Sequence, residues 1–255
     1  MDILVCVKRV PMVGGKIAVT PDGQDVDTRL SGFTVSPHEE CAVEEAVQIT
    51  ERLGGTVTVL TLGPAEAADQ LRDMLALGAG RALLLETDGR EWGPIATAEA
   101  IADVARSRAD SPDSPFDLLL FGNEAADTGD YQVGVRVAHM LGLPCVTGIK
   151  HLEIDRGGRA RREYRGSEEV FDIPLPAVIS VKEGINLPRY PSLPGRLRAK
   201  RAAIETVHPD WQDEGLRKEG LRVPAQEHKQ AQLLGSGTEA VPALVRLLEE
   251  LGVLP

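Results

Sequence analysis

Short apolar runs alternate with amphipathic segments along most of the chain. Between the runs, apolar residues recur at helical spacing, and Ser-Pro, Gly-Pro or Gly residues mark where the predicted helices begin and end. Uninterrupted apolar runs joined by helices are typical of parallel strands that are buried on both faces. The pattern therefore predicts an α/β fold with a doubly wound, mostly parallel sheet. The predicted strands are 3–7, 56–62, 82–85, 116–121, 145–149 and 177–181.

The pattern changes beyond the fifth predicted strand. Apolar and charged residues alternate over 152–164, which predicts a β-hairpin, and 168–173 continues the antiparallel pairing. Residues 186–197 contain three prolines and show neither a helical nor a strand period. We therefore expect a small antiparallel β appendage, then an extended C-terminal arm, and finally an amphipathic helix capped by Thr238.

These differences in pattern predict two regions. Residues 1–183 form the α/β domain with its hairpin appendage, and residues 184–255 form the arm and the terminal helix. A long arm and an amphipathic helix attached to one domain suggest a permanent partner subunit.

The segment 118–143 contains the strongest candidate for a binding site. An apolar strand enters a polar loop, and an amphipathic helix follows, which is how parallel sheets build nucleotide sites at strand ends. Asp127, Thr128, Asp130 and Gln132 are candidates to contact ribose hydroxyls or a base edge. The alternative is a plain strand–helix connection capped by Asp127 or Thr128, and the chain has no Gly-rich fingerprint to decide between them.

Lys8 and Arg9 follow the first predicted strand. Ligands in parallel sheets usually lie at this end, so both side chains are candidates to contact a phosphate. The alternative, which we favour from the sequence alone, is that they are solvated loop charges.

Composition excludes several classes of function. The chain has 28 Lys and Arg against 39 Asp and Glu, a net charge of −11, which argues against nucleic-acid binding. Cys6, Cys41 and Cys145 lack metal-ligand spacing, so we expect reduced thiols in a cytoplasmic protein. The chain shows no apolar stretch long enough for a membrane span and no basic start before its first apolar run.

Candidates for catalysis are scarce. The five histidines are scattered, none accompanies a nucleophile in a recognisable arrangement, and no HExxH-type metal motif occurs. We therefore expect no catalytic residues and no metal site, and a binding or carrier function instead of an enzyme.

Five stretches together resemble the beta subunit of electron transfer flavoproteins. The resemblance runs in order over nearly the whole chain, and the Pro-Arg-Tyr-x-x-Leu-Pro motif is its most specific part. The stretches are VCVKRVP at 5–11, SPHEECAVEEAV at 36–47, TLGPAEAADQLRDMLALGAGRALLL at 61–85, GNEAADTGDYQVG at 122–134 and LPAVISVKEGINLPRYPSLPGRLRAKR at 175–201.

The resemblance implies a set of cofactors. The beta subunit pairs with an alpha subunit that holds most of the redox-active FAD, and beta itself encloses AMP or, in electron-bifurcating members, a second FAD with NADH as donor. The backbone N–H groups of Gln132, Val133 and Gly134 would face the phosphate. The residues implied for the nucleotide site are Cys6, Ser36, Leu62, Gly63, Asp127, Thr128, Gln132, Val133 and Gly134.

The loop departs from both patterns of the family. Tyr131 stands where AMP-type members carry Asn, and Val133 stands where they carry Thr. The Gln-Val-Gly ending matches bifurcating members, but Thr128 and Gly129 do not follow their order. The choice between AMP and a second FAD therefore stays open.

The resemblance also implies partners. Tyr190, Leu193 and Pro194 belong to a recognition loop that docks acyl-CoA dehydrogenases or similar flavoprotein dehydrogenases, and electrons pass on to a quinone-side oxidoreductase.

The expected function is an electron carrier subunit. An adenine-nucleotide-dependent α/β enzyme is the alternative from another class, although no Ser-Gly-Gly phosphate loop is present. A structural partner with a vestigial pocket is a third.

Overall fold

The computed structural model describes residues 1–12, 17–29, 31–109, 115–155, 157–215, 217–224 and 233–254. They fall into two compact units, 1–221 and 222–255. The division into domains at 183 and 184 stays a prediction.

Twelve strands are present among the described residues, and most lie where apolar runs predicted them. They are β1 (Asp2–Cys6), β2 (Val10–Pro11), β3 (Phe33–Thr34), β4 (Thr56–Gly63), β5 (Arg81–Glu86), β6 (Leu118–Gly122), β7 (Cys145–Ile149), β8 (His151–Ile154), β9 (Gly158–Tyr164), β10 (Ser167–Ile173), β11 (Ala177–Val181) and β12 (Glu205–Val207).

Six α-helices connect or follow the strands within the same residues. They are α1 (Pro37–Leu53), α2 (Ala68–Leu77), α3 (Pro94–Ala109), α4 (Val133–Leu141), α5 (Leu193–Arg201) and α6 (Val241–Glu250), with short 3₁₀ turns at Ala65–Ala67 and Gly237–Ala240.

Seven of the strands form one parallel sheet in the order β12-β5-β4-β1-β6-β11-β7. The chain runs from β1 outward to β4 and β5, then returns to the other side of β1 to form β6. The reversal leaves a crevice outside the carboxyl ends of β1 and β6, the position where open parallel sheets bind ligands. Strands β8, β9 and β10 form the predicted antiparallel appendage. The predicted fold class is confirmed.

Alternate residues of each strand face two separate cores. Ile3 and Leu118 pack in the core that contains α1 and α2, whereas Leu4 and Leu119 pack in the core that contains α3 and α4. Both faces of the sheet are therefore covered, which explains why the strands read as unbroken apolar runs.

Beyond β11, two elements of unit 1 were missed by the sequence pattern. Residues 193–201, which we expected to be extended, form α5, because Ser192 caps the helix by accepting a hydrogen bond from Gly195 N (3.1 Å) and Pro194 lies in the first turn, where it is tolerated. Residues 205–207 add β12 to the edge of the sheet beside β5.

The predicted cap of the terminal helix is also wrong. Thr238 lies inside the 3₁₀ turn, and the N-cap of α6 is Ala240, without a side-chain hydrogen bond. Among the described residues, no helix is both long and apolar enough to cross a bilayer.

A substitution at the end of β6 tests the close packing of α1 on the sheet. A Cβ added to Gly122 would lie 2.6 Å from Cγ and 3.1 Å from the backbone N of Glu39, so the buried Glu39 side chain must move and the backbone at the start of α1 must give way slightly. We expect Gly122→Ala to lower the free energy of unfolding by about 1–3 kcal/mol, measured by urea denaturation. Gly32→Ala is the control, because an added Cβ there meets nothing within 4 Å. Equal stability of the two variants would contradict the packing described.

Candidate functional site

A cleft of about 200 Å³ lies at the crevice between β1 and β6. The carboxyl ends of β1 and β4 supply Cys6, Lys8 and Leu62, and the loop from β6 to α4 supplies residues on the opposite wall. The cleft thus stands where strand order alone predicts a ligand. The lining residues of that loop and helix are Gly122, Asn123, Glu124, Ala125, Thr128, Asp130, Tyr131, Gln132, Val133 and Gly134.

The first turn of α4 presents backbone donors to this cleft. Val133 and Gly134 line the cleft, and within the described part of the chain their N–H groups donate to no acceptor; the first N–H of the helix to be paired is that of Arg136, which donates to Gln132 O (3.0 Å). Free N–H groups and the helix dipole together favour an anion at this point.

Glycine at 134 allows α4 to begin close to the sheet. A Cβ there would lie 3.1 Å from Ser180 Oγ and 3.2 Å from Phe121 Cγ. The absence of a side chain therefore brings the free N–H groups down to the ends of β6 and β11.

The side chain of Gln132 has a defined orientation at the start of the helix. Its Oε1 accepts hydrogen bonds from Arg136 Nη2 (2.8 Å) and Nε (3.2 Å). The amide nitrogen of Gln132 has no partner among the described residues, so it is available to donate to a ligand in the cleft.

Tyr131, just before Gln132, has an uncommon backbone conformation. Its φ of 58° lies in the left-handed region, where bulky residues are rarely found, and its side chain is exposed at the cleft. Such conformations cost free energy and persist only where the surrounding structure holds them in place. They are found most often at functional sites.

Lys8 links the end of β1 to the loop after β6. Its Nζ lies 2.8 Å from Asp127 Oδ2 and 2.9 Å from Oδ1, and Asp127 Oδ1 also accepts the N–H of Thr128 (2.8 Å). The Lys8 side chain is 42% exposed, so it remains partly solvated as the sequence interpretation favoured, but it also lines the cleft and forms an ion pair at its edge.

Glu39 places a buried carboxyl in the same cleft. Its Oε2 accepts hydrogen bonds from Lys8 N (3.0 Å) and Ser36 N (3.4 Å), the second of which belongs to the predicted capping box. Glu39 is only 6% exposed, and this burial raises its pKa to about 8. Burial, and then the nearby Glu39 charge, also raises the pKa of Cys6, so that thiol stays protonated.

The loop between β5 and α3 supplies a wall of the cleft that the sequence analysis missed. Trp92, Gly93 and Pro94 line it, and the indole Nε1 of Trp92 is buried without a hydrogen-bond acceptor among the described residues. Only the adjacency of β5 to β4 could have indicated this loop, because its sequence carries no binding motif.

The structure brings most of the predicted nucleotide-site residues together. Six of the nine line the cleft: Cys6, Leu62, Thr128, Gln132, Val133 and Gly134. The other three lie beside it. Ser36 is buried and its Oγ donates to Glu124 O (3.4 Å), Gly63 is the buried end of β4, and Asp127 holds Lys8. Their role as ligand contacts stays a prediction.

The predicted partner-recognition residues lie outside the cleft. Tyr190 is 95% and Leu193 is 72% exposed, and Leu193 and Pro194 begin α5. Leu187 and Leu197 are also exposed nearby in the sequence, so this segment presents four large apolar side chains to solvent. Exposed apolar side chains grouped in this way are typical of interaction surfaces.

Comparisons with known proteins agree on one family. A family model described as the electron transfer flavoprotein domain matches residues 26–211. The chain is 35% identical over 213 residues to the electron transfer flavoprotein subunit beta of Bacillus subtilis (strain 168), covering 82% of this chain and 80% of that protein. It is 34% identical over 247 residues to the subunit of the same name from Mycobacterium tuberculosis (strain ATCC 25618 / H37Rv), covering 92% and 91%. It is 36% identical over 211 residues to the mitochondrial subunit beta of Arabidopsis thaliana, covering 81% of each chain.

The buried carboxyl of Glu39 predicts a pH dependence of stability. Its pKa is about 8 in the folded chain against an ordinary value of 4.5, so between these pH values the folded state keeps a proton that the unfolded state releases. The free energy of unfolding should therefore fall as the pH rises through this window, by about 3–5 kcal/mol from this group. Glu39→Gln should remove this component and keep a residue suited to the capping box.

The measurement is urea unfolding of both proteins at about pH 5 and about pH 8.5. Glu168→Gln, at an exposed carboxyl on β10, is the matched control and should follow the wild type. Parallel pH profiles of wild type and Glu39→Gln would show that Glu39 does not titrate in this window.

Proposed function

The chain belongs to the electron transfer flavoprotein family, among the beta subunits, and on that basis we propose that it is the beta subunit of a heterodimeric electron carrier. In this function it pairs with an alpha subunit and passes electrons from a dehydrogenase to a quinone-linked acceptor. The observation that carries the proposal is the cleft between β1 and β6, where the order of the strands reverses. The free N–H groups of α4 face this cleft.

The residues of the cleft fit an adenine mononucleotide. The N–H groups of Val133 and Gly134 and the amide nitrogen of Gln132 would hold the phosphate. The apolar side chains of Leu62 and Phe121 suit a base or a sugar face. FAD, held mainly by the alpha subunit, would supply the electron transfer itself.

A second candidate is the electron-bifurcating form, in which beta holds a second FAD and NADH is the donor. The Gln132-Val133-Gly134 ending of the loop favours it, because these residues match that class. A nucleotide-dependent enzyme is the candidate from another class. It would consume its nucleotide without an alpha subunit, which the carrier would not.

The nucleotide content of the complex decides among these functions. The chain is co-expressed with its alpha partner, the complex is denatured, and FAD and AMP are quantified per heterodimer. We expect one FAD and one AMP. Two FAD without AMP would assign the chain to the bifurcating class. A complex that forms without any flavin would contradict the carrier function.

A charge change at Gln132 tests the phosphate position. Gln132→Glu keeps the shape of the side chain and its bond to Arg136, but it places a carboxylate beside the phosphate. We expect about a tenfold or greater loss of bound AMP, because like charges in contact are strongly unfavourable. Gln212→Glu adds the same charge away from the cleft and should retain AMP. Unchanged AMP in Gln132→Glu would remove this residue from the site.

The segment around Leu193 is the proposed docking surface for the donor. Four large apolar side chains are exposed there, and Arg196, Arg198, Lys200 and Arg201 follow in α5. Apolar anchors beside basic charges suit an acidic partner surface. The partners proposed are acyl-CoA dehydrogenases or similar flavoprotein dehydrogenases. A cytoplasmic location is part of the proposal, since the three cysteines are free thiols.

Truncation of the exposed leucine tests this surface. We expect Leu193→Ala to weaken docking by about 1–3 kcal/mol, the scale of an interface anchor, and to leave FAD content intact. The measurement is the KM of a flavoprotein dehydrogenase for the complex as its electron acceptor. Leu221→Ala, at another exposed leucine, is the control. An unchanged KM with every donor tested would exclude the surface.

A further inference from the structure

The segment 186–192, which carries two of the exposed apolar side chains, is fastened to α1 by one arginine. Arg189 Nε and Nη2 donate to Glu44 Oε2 (2.9 Å) and Oε1 (3.1 Å), and Nη1 and Nη2 donate to Glu51 Oε1 (2.6 Å) and Oε2 (2.9 Å). The backbone N–H of Arg189 also donates to Glu44 Oε2 (3.1 Å). One planar guanidinium therefore bridges two carboxylates that lie about two turns apart on one face of α1, a geometry that lysine cannot reproduce.

Both ends of the segment are held as well. At its start, Asn186 Nδ2 donates to Cys41 O (3.0 Å) and to Glu45 Oε2 (2.9 Å). At its end, α5 packs so closely on α2 that a Cβ at Gly195 would lie 2.8 Å from Ala76 O. Arg72 Nη1 donates to Ala199 O (3.0 Å) near the last turn of α5. The segment is thus attached to the first two helices at three points.

The electrostatics of Glu44 show that this carboxylate depends on Arg189. Glu44 is 3% exposed, and its burial raises its pKa, but the hydrogen bonds from Arg189 and Gln48 outweigh burial and place the pKa below its usual range. Glu44 is therefore a buried anion that is paired, and removal of its partner leaves an uncompensated charge. The Glu51 and Glu44 carboxylates in turn raise the pKa of the Arg189 guanidinium.

We propose that Arg189, held by Glu44 and Glu51, is a positioning residue that fixes Leu187, Tyr190 and Leu193 in the arrangement required to dock the electron donor. The inference rests on the proposed docking function. Leu187 lies two residues before Arg189, and Tyr190 follows it directly. The hydrogen bonds of Arg189 to Glu44 and Glu51 therefore fix the backbone from which both side chains project. A surface ordered in advance loses less conformational entropy on association, and loosening it weakens docking without removing any contact residue.

Glu44→Gln is the decisive variant. Glu44 is buried beneath Arg189, so it does not form part of the exposed surface offered to a partner, and the amide keeps the size of the carboxylate. We expect the KM of a flavoprotein dehydrogenase for the complex to rise about five- to tenfold in Glu44→Gln and in Arg189→Gln, because the segment loses preorganisation. The kcat and the FAD content per heterodimer should be unchanged.

The matched control is Arg217→Gln. It removes the same charge from an exposed residue outside α5 and outside the segment 186–192, at a side chain that makes no hydrogen bond or ion pair within the described residues. Its KM should rise much less than that of Arg189→Gln, and an equal rise would show that only charge is involved. Where Glu44→Gln fails to fold, Glu51→Gln takes its place, because it weakens the hydrogen bonds of the same arginine at a more exposed carboxylate.

Combination with Leu193→Ala separates the inference from the function on which it rests. A double variant Glu44→Gln, Leu193→Ala whose KM rises by less than the product of the single effects supports positioning, since both changes act on one docking contact. An unchanged KM in Leu193→Ala would reject the docking surface itself. A raised KM in Leu193→Ala and Arg189→Gln with an unchanged KM in Glu44→Gln would overturn the positioning role and make Arg189 a direct contact.

Discussion

The carboxyl end of β6 meets the first turns of two helices, and the site depends on how closely they approach. At Gly122 the strand touches Glu39 and His38 of α1, and at Gly134 the start of α4 touches Phe121 and Ser180. Each contact is possible because one glycine lacks a Cβ. As a result the carboxyl of α1 and the free N–H groups of α4 face the same crevice, which the strand order had already opened between β1 and β6.

A cleft with free N–H donors favours an anion, yet the chain carries a net charge of −11 and a carboxyl inside this cleft. Burial removes this conflict, because it raises the pKa of Glu39 to about 8 and keeps the group mostly protonated near neutral pH. Lys8 pairs with Asp127 at the same edge. The local arrangement of donors and protons, and not the net charge, is therefore what supports the proposal of a phosphate in this cleft.

Helix α1 connects the two proposed functions. Its first turn carries Glu39 at the cleft, and further along the helix Glu44 and Glu51 hold Arg189 of the segment 186–192. The helix is packed against β1, β4, β6 and β11 and is therefore fixed to the sheet. One helix thus sets the position of both the cleft and the segment 186–192.

The sequence by itself determined the parallel sheet, the antiparallel appendage and the loop after β6, because these depend on local periodicity and on turn residues. It also indicated Gln132, since a helix start is a local feature, and the resemblance to the family added Val133 and Gly134. It did not indicate α5, whose prolines obscure the helical period, nor β12, a three-residue strand recruited by the sheet edge. Only the tertiary structure brought Trp92 and Glu39 to one cleft and Arg189 to α1. Strand order and helix packing decide which distant residues meet, and these depend on contacts between segments far apart in the chain, which no local pattern encodes.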